Sequence, residues 1–272
     1  MSGRPRGARR RITLSGGRCV LPDGREARTD VILDAGRIAE IGPVQRGSDG
    51  TIVDASGCWV VPGFIDLHAH GGGGASFADA TASAASAVLG FHAAHGTTRV
   101  VASLVPADLE SLRATLGGLR TAAPSGLLGV HLEGPYVSPA QPGALDPAWL
   151  RLPDAAEFRA LVAGCESFVR VVTIAPELPG ASELLSAVRD TGAVAAIGHS
   201  AATYEEARAA VDRGAHHVSH LWNAMSGLHH RHPGVVGAAL FDPRVTIELI
   251  ADGLHVHPDV VPSGRGGCGP HS

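Results

Sequence analysis

Lysine is absent: all 22 basic residues of this 272-residue chain are arginine. That excludes Schiff-base chemistry, a phosphate loop built on a lysine, and any metal site bridged by a carboxylated lysine. The Gly71–Gly74 run therefore reads as a loop, not a nucleotide cradle. Aromatic residues are scarce, 4 % against 44 % hydrophobic overall, which implies an α/β interior of Ala, Val, Leu and Ile. The formal net charge of −4 is too mild to imply a polyanionic partner. The basic start, Arg4 to Arg11, is the local exception and reads as a disordered terminus over residues 1–11, not as a nucleic-acid arm. Cys19, Cys58, Cys165 and Cys268 show no paired spacing, which argues against a disulfide framework or a zinc knuckle. A reducing cytoplasm is the expected compartment. No apolar run is long enough to span a membrane, and no apolar signal region follows the basic start.

What is present is a strand grammar. Ile12–Leu14, Arg18–Leu21, Val31–Leu33, Ile38–Ile41 and Thr51–Val53 are short strand candidates punctuated by Pro22-Asp23-Gly24, Asp34-Ala35-Gly36 and Gly42-Pro43. They predict a small β-sandwich-like domain over residues 12–60. From residue 61 to 257, seven apolar runs alternate with helical stretches, the pattern of a TIM-like (β/α) barrel. The strands are expected at Gly63–His68, Thr97–Ser103, Leu127–Glu133, Phe168–Ala175, Ala193–Gly198, His216–His220 and Val245–Ala251. Residues 258–272 have neither strand run nor helix period, so an irregular tail is expected where an eighth strand belongs. The expectation is a C-terminally truncated chain with an incomplete barrel.

Chemistry-bearing residues gather at the ends of these runs. His68 and His70 close the first, and period-two alternation puts both on one face. Glu133 closes the third, His199 the fifth and His220 the sixth. Each alone reads as an ordinary polar residue at a strand end. Together they occupy the C-terminal rim where barrel sites are built, and histidines with a carboxylate suit a divalent ion. His216 and His217 begin their strand and read as structural. His92, His95, His229 and His230 read as solvent-facing.

The stretches Pro62–His70, His131-Leu132-Glu133-Gly134-Pro135-Tyr136, Gly198-His199-Ser200, Ser219-His220-Leu221-Trp222-Asn223-Ala224-Met225 and Ile250–His255 resemble the signatures of the N-acetylglucosamine-6-phosphate deacetylases, within the amidohydrolase superfamily. The resemblance implies hydrolysis of the acetamide of N-acetyl-D-glucosamine 6-phosphate by metal-activated water. It assigns Glu133, His199 and His220 to the catalytic ion, with His68 and His70 available to a second. The ion would be Zn, Fe, Mn or Co, one or two per subunit of a homodimer. Ala144, Leu145, Asn223, Ala224, Arg231 and His255 are implied to contact the sugar phosphate, Arg231 across a subunit boundary. Two departures stand out. The family's catalytic aspartate at the end of strand eight has no counterpart here, so no catalytic base is assigned, and Leu145 replaces a usual histidine, which implies weaker binding or polarisation of the substrate, or a substitute in His131 or another neighbour. The competing readings are another amidohydrolase acting on a phosphorylated or cyclic amide, and a catalytically impaired copy that binds metal or sugar phosphate without turnover.

Overall fold

A computed structural model describes residues 11–43 and 50–267. The stretch 1–10 and the last residues of the tail fall outside the described residues. The chain divides into two compact units, Met1–Gly63 and Phe64–Ser272.

In the first unit five strands, β1 (Ile12–Val20), β2 (Glu26–Asp34), β3 (Arg37–Ile41), β4 (Thr51–Asp54) and β5 (Trp59–Val60), form one sheet with β1 as its hub. β2 is antiparallel to both β1 and β3, whereas β4 and β5 run parallel to β1. The two runs read separately at Ile12–Leu14 and Arg18–Leu21 are one strand, with a register shift between Leu14 and Gly17. Asp30 pins that irregularity by accepting from Ser15 Oγ (2.9 Å) and Gly16 N (2.8 Å). A glycine is required beside it, since a Cβ on Gly17 would lie 2.6 Å from Val60 Cγ2.

The second unit is α/β. Its elements are β6 (Phe64–Ala69), β7 (Gly71–Gly72), β8 (Ala75–Ser76), α1 (Ala82–Ala93), β9 (Thr97–Leu104), α2 (Leu109–Ala122), β10 (Leu127–Leu132), α3 (Ala155–Val162), β11 (Val169–Ile174), α4 (Ala181–Asp190), β12 (Val194–Ile197), α5 (Tyr204–Asp212), β13 (His217–Val218), α6 (Gly234–Phe241) and β14 (Thr246–Ile247). Seven strands make a parallel sheet in the order β14-β13-β12-β11-β10-β9-β6. These are the seven runs read from the sequence, and among the described residues the sheet has no eighth member. β12 (Val-Ala-Ala-Ile) is apolar throughout, and β11 is apolar but for the exposed Arg170 and the buried Thr173, because a parallel sheet is covered on both faces.

The helices pack their apolar stripes on that sheet. In α2, Leu112, Leu116 and Leu119 recur every three or four residues and are buried, and Asp108 caps the helix by accepting from Ser111 N at 2.8 Å. In α3 and α4, Phe158, Leu161, Leu184, Leu185 and Val188 join the same core as Val100, Val130 and Val172 of the strands. Each such side chain contributes roughly 1.5–3 kcal/mol when fully buried. That continuous core holds the strand ends in register, and the strand ends carry the site.

Two elements were not expected. α6 is apolar all round and carries two glycines, so it offers no helical period to read; six of its eight residues are buried. The Gly71–Gly74 run is not an open loop but a small hairpin in which β7 pairs with β8. Gly73 and Gly74 turn it with φ of +62° and +83°, and a Cβ on Gly72 would fall 2.7 Å from Phe91 Cδ1.

Candidate metal centre

Glu133 follows β10, its backbone N–H donating to Leu104 O at 2.9 Å so that the strand pairing continues to the carboxylate. It is 4 % exposed. Four imidazoles meet it. His199 Nε2 and His220 Nε2 each lie 3.1 Å from Glu133 Oε1 and 3.1 Å from one another. His68 Nε2 lies 3.3 Å from the same oxygen, and His70 Nε2 lies 3.3 Å from Oε2. All five residues read from strand ends are thus brought together at one rim.

The turns that deliver the histidines are held in costly backbone geometry. His199 has φ +46°, His220 +32°, Trp222 +82° and Ala224 +48°, none of them glycine. Such conformations cost about 1–3 kcal/mol each and persist only where the surroundings over-determine them. Here they do. Ser138 N donates to His199 O (2.9 Å), and Ser200 N to Ala224 O (3.1 Å), tying the two histidine turns together. Glu177, which sequence reasoning did not single out, accepts from Ser200 Oγ (2.8 Å) and Ala201 N (2.6 Å).

The electrostatics follow from that crowding. Burial pushes the Glu133 carboxyl up, but hydrogen bonding to His199, His220, His68 and His70 outweighs it and holds the group well below the usual carboxylate range. Burial lowers His68, yet Glu133 on one ring nitrogen and Glu248 on the other raise it to about 10. His131 goes the other way: burial, then the charge on His68, lowers it to about 3. His131 is fully buried, bound to Thr173 Oγ1 at 2.7 Å and Ser103 Oγ at 3.4 Å.

The donor set fits a cation. Each imidazole Nε2 has a single in-plane position for a proton or a lone pair. His199 and His220 aim theirs at one another and at one carboxylate oxygen, a triangle that ordinary hydrogen bonds satisfy only in part. Imidazole nitrogens and carboxylate oxygen converging on a common point are the donors of hydrolytic metal sites.

Without an ion the pair energetics give a pH signature. Glu133 is depressed, so its contribution to stability is present above about 4.5 and lost as pH falls. His68 is raised, so its contribution is complete below 6.5 and lost as pH rises toward about 10. The urea midpoint of the ion-free chain is therefore expected to peak between these limits and decline on both sides. Zinc uptake at neutral pH should displace the His68 proton, measurable by calorimetry in buffers of different ionisation enthalpy.

The site opens into a cavity of about 1160 Å³. Its wall includes Ala144, Leu145, Asn223, Ala224 and His255, five of the expected substrate contacts. Arg231 is not in that wall; it is exposed on the loop before α6, its N–H donating to His229 Nδ1 at 3.3 Å. His131 does not line the cavity either. Glu248, just past β14, was missed because in the sequence it stands inside the run Val245–Ala251; the strand itself stops at Ile247, so Glu248 follows a strand end as Glu133 does. His217, read as structural, donates from Nε2 to Glu248 Oε1 at 2.8 Å.

The sequence profile of the amidohydrolase family matches residues 59–265. The chain is 39 % identical over 202 residues to an N-acetylgalactosamine-6-phosphate deacetylase of Escherichia coli O157:H7, covering 72 % of this chain and 54 % of that protein. It is 36 % identical over 215 residues to an N-acetylglucosamine-6-phosphate deacetylase of Vibrio furnissii, covering 77 % and 54 %. A solved structure of a mutant N-acetyl-D-glucosamine-6-phosphate deacetylase from Mycobacterium smegmatis, in complex with N-acetyl-D-glucosamine-6-phosphate, superposes with a TM-score of 0.89 at 37 % identity, covering 97 % of this chain and 69 % of that one. The chain spans about half the length of the first two of these relatives. Profile and fold together place it: this chain belongs to the amidohydrolase family.

Proposed function

We propose that this chain hydrolyses the acetamide of N-acetyl-D-glucosamine 6-phosphate to D-glucosamine 6-phosphate and acetate. Amidohydrolases are generally metal-dependent, and the chain carries groups of histidines and carboxylates able to hold an ion. In this reading Glu133, His199 and His220 hold the hydrolytic ion, and His68 and His70 take a second. Zinc, iron, manganese and cobalt all suit these donors. The observation that carries the reading is the 3.1 Å convergence of His199, His220 and Glu133 at the floor of a cavity large enough for a sugar phosphate.

A divalent ion bound there supplies a water acidified from about 16 toward about 7 and a polarised amide carbonyl. The chain's own residues bind and orient the substrate. Asn223 is held by its Nδ2, which donates to His220 O (3.2 Å) and Leu221 O (3.3 Å), leaving its carbonyl oxygen for the sugar. Ala144 and Ala224 present small side chains that let the ring approach. His255 faces the phosphate side, and Arg231 reaches a phosphate from the second subunit of a homodimer. Asp252 is committed to orienting its loop: it accepts from Leu254 N (2.8 Å) and His255 N (2.9 Å) and meets His255 Nδ1 at 2.7 Å. It is therefore not assigned as the general base. Cys19, Cys58 and Cys165 are unpaired, which supports a cytoplasmic setting, and among the described residues no helix is long and apolar enough to cross a membrane.

Acetate release should be measured with zinc-loaded chain on N-acetylglucosamine 6-phosphate, N-acetylgalactosamine 6-phosphate, the unphosphorylated sugars and a cyclic amide. Turnover confined to the phosphorylated sugars, with the gluco-epimer preferred, is the expected result. Equal turnover of unphosphorylated sugars or of the cyclic amide would contradict it. Ion binding with no turnover on any of them would favour the impaired-copy reading.

A further inference from the structure

Three enclosed imidazoles surround Glu133 Oε1, and their second ring nitrogens differ. His199 Nδ1 lies 3.1 Å from the Gln141 carbonyl, and His220 Nδ1 is buried without a hydrogen-bond partner. His68 Nδ1 alone meets a carboxylate, Glu248 Oε2, at 2.9 Å. That carboxylate is 12 % exposed and does two further things. Its other oxygen lies 2.8 Å from His217 Nε2, and Oε2 accepts from the His220 backbone N–H at 3.3 Å. One side chain thus joins β6 at one end of the strand order, β13 next to the other end, and the strained turn that carries His220.

Glu248 is poorly placed to be a ligand itself. The imidazole it would share with His68 is His131, and both nitrogens of His131 are already engaged by Thr173 and Ser103. We infer that Glu248 is a positioning residue, which fixes His68 with its proton on Nδ1 and its Nε2 toward Glu133, and so sets the affinity of the ion on the His68 side. The inference rests on the metal reading above. A carboxylate on the remote N–H of a ligating histidine fixes its tautomer and raises its basicity, and its loss typically costs about 10–100-fold in metal affinity.

The test is zinc titration of the full chain and of Glu248→Gln, read as stoichiometry and Kd, with ion-free thermal stability measured alongside. Glu248→Gln keeps the volume but removes the charge, and its amide can donate to His68 Nδ1 and so favour the wrong tautomer. The expected result is zinc affinity weakened about 10–100-fold at one site, with His217→Gln, which leaves the His68 contact in place, weakened far less. Wild-type affinity in a folded Glu248→Gln, or an equal loss in both variants, would overturn the inference. If Glu248→Gln does not fold, ring-nitrogen NMR of the zinc-loaded wild-type chain decides: a His68 proton on Nδ1 supports the inference, and one on Nε2 overturns it. A wild-type chain that takes up no zinc at all would instead remove the metal reading and this inference with it.

Discussion

Glu133→Gln is expected to abolish stoichiometric zinc binding and to cut acetate release by on the order of 10³-fold. The substitution keeps the shape of a side chain that is 4 % exposed and removes its charge. Four imidazoles are organised on that charge, two of them at 3.1 Å from one oxygen. An amide offers one acceptor oxygen where the carboxylate offers two, and its NH₂ would face nitrogens meant for an ion. Metal polarisation supplies several kcal/mol to a hydrolytic transition state, and about 1.4 kcal/mol is a factor of ten. The ion-free chain offers an independent readout. Glu133 is one of two carboxylates that raise His68, so Glu133→Gln should flatten the alkaline decline in the urea midpoint. Retained zinc stoichiometry in this variant would count heavily against Glu133 as a ligand.

Phe77→Ala is expected to be the most damaging single truncation near the site, by about 3–5 kcal/mol. Phe77 is fully buried in the main core, and its backbone N–H donates to His70 O at 3.0 Å. The backbone of Phe77 thus ties down the turn that follows His68 and His70, and its buried side chain anchors that tie in the core. For a unit of this size the thermal midpoint should fall by about 10 °C, a large part of a typical 5–15 kcal/mol of total stability. Leu152→Ala, at a residue 63 % exposed, should change stability by no more than about 0.5 kcal/mol. The expected companion effect of Phe77→Ala is weaker zinc binding on the His70 side, because the N–H that His70 O accepts from loses its anchor in the core. A stability change within the range of Leu152→Ala would show that the packing has been misread.

Much of the barrel's order was legible because its physics is one-dimensional. A strand such as Val194–Ile197, covered on both faces, reads as an unbroken apolar run, and a helix such as Leu109–Ala122 must show leucines every third or fourth residue. Strand-end position alone then brought His68, His70, Glu133, His199 and His220 onto one list, because parallel strands share a C-terminal rim. What failed to show was whatever depends on the third dimension. α6 carries no period because neighbours bury it on nearly every side. The Gly71–Gly74 hairpin depends on Phe91 from α1 leaving no room for a Cβ at Gly72, a contact invisible in the run itself. Glu248 sits in an apolar stretch as Glu133 does, but its meaning lies in two histidines 180 and 31 residues away. His217 seemed to stand at the wrong end of its strand. β13 is so short that its first residue still reaches Glu248. Nor does any pattern in the sequence announce left-handed backbone at His199 and His220, since neither is glycine.

The most direct test is an anomalous-scattering map of the zinc-loaded chain, collected at the zinc edge. A peak bonded to Glu133, His199 and His220 is the expected result, with any second peak bonded to His68 and His70. Zinc bound elsewhere, with those three side chains left to hydrogen-bond among themselves, would contradict the metal centre and the hydrolysis that depends on it.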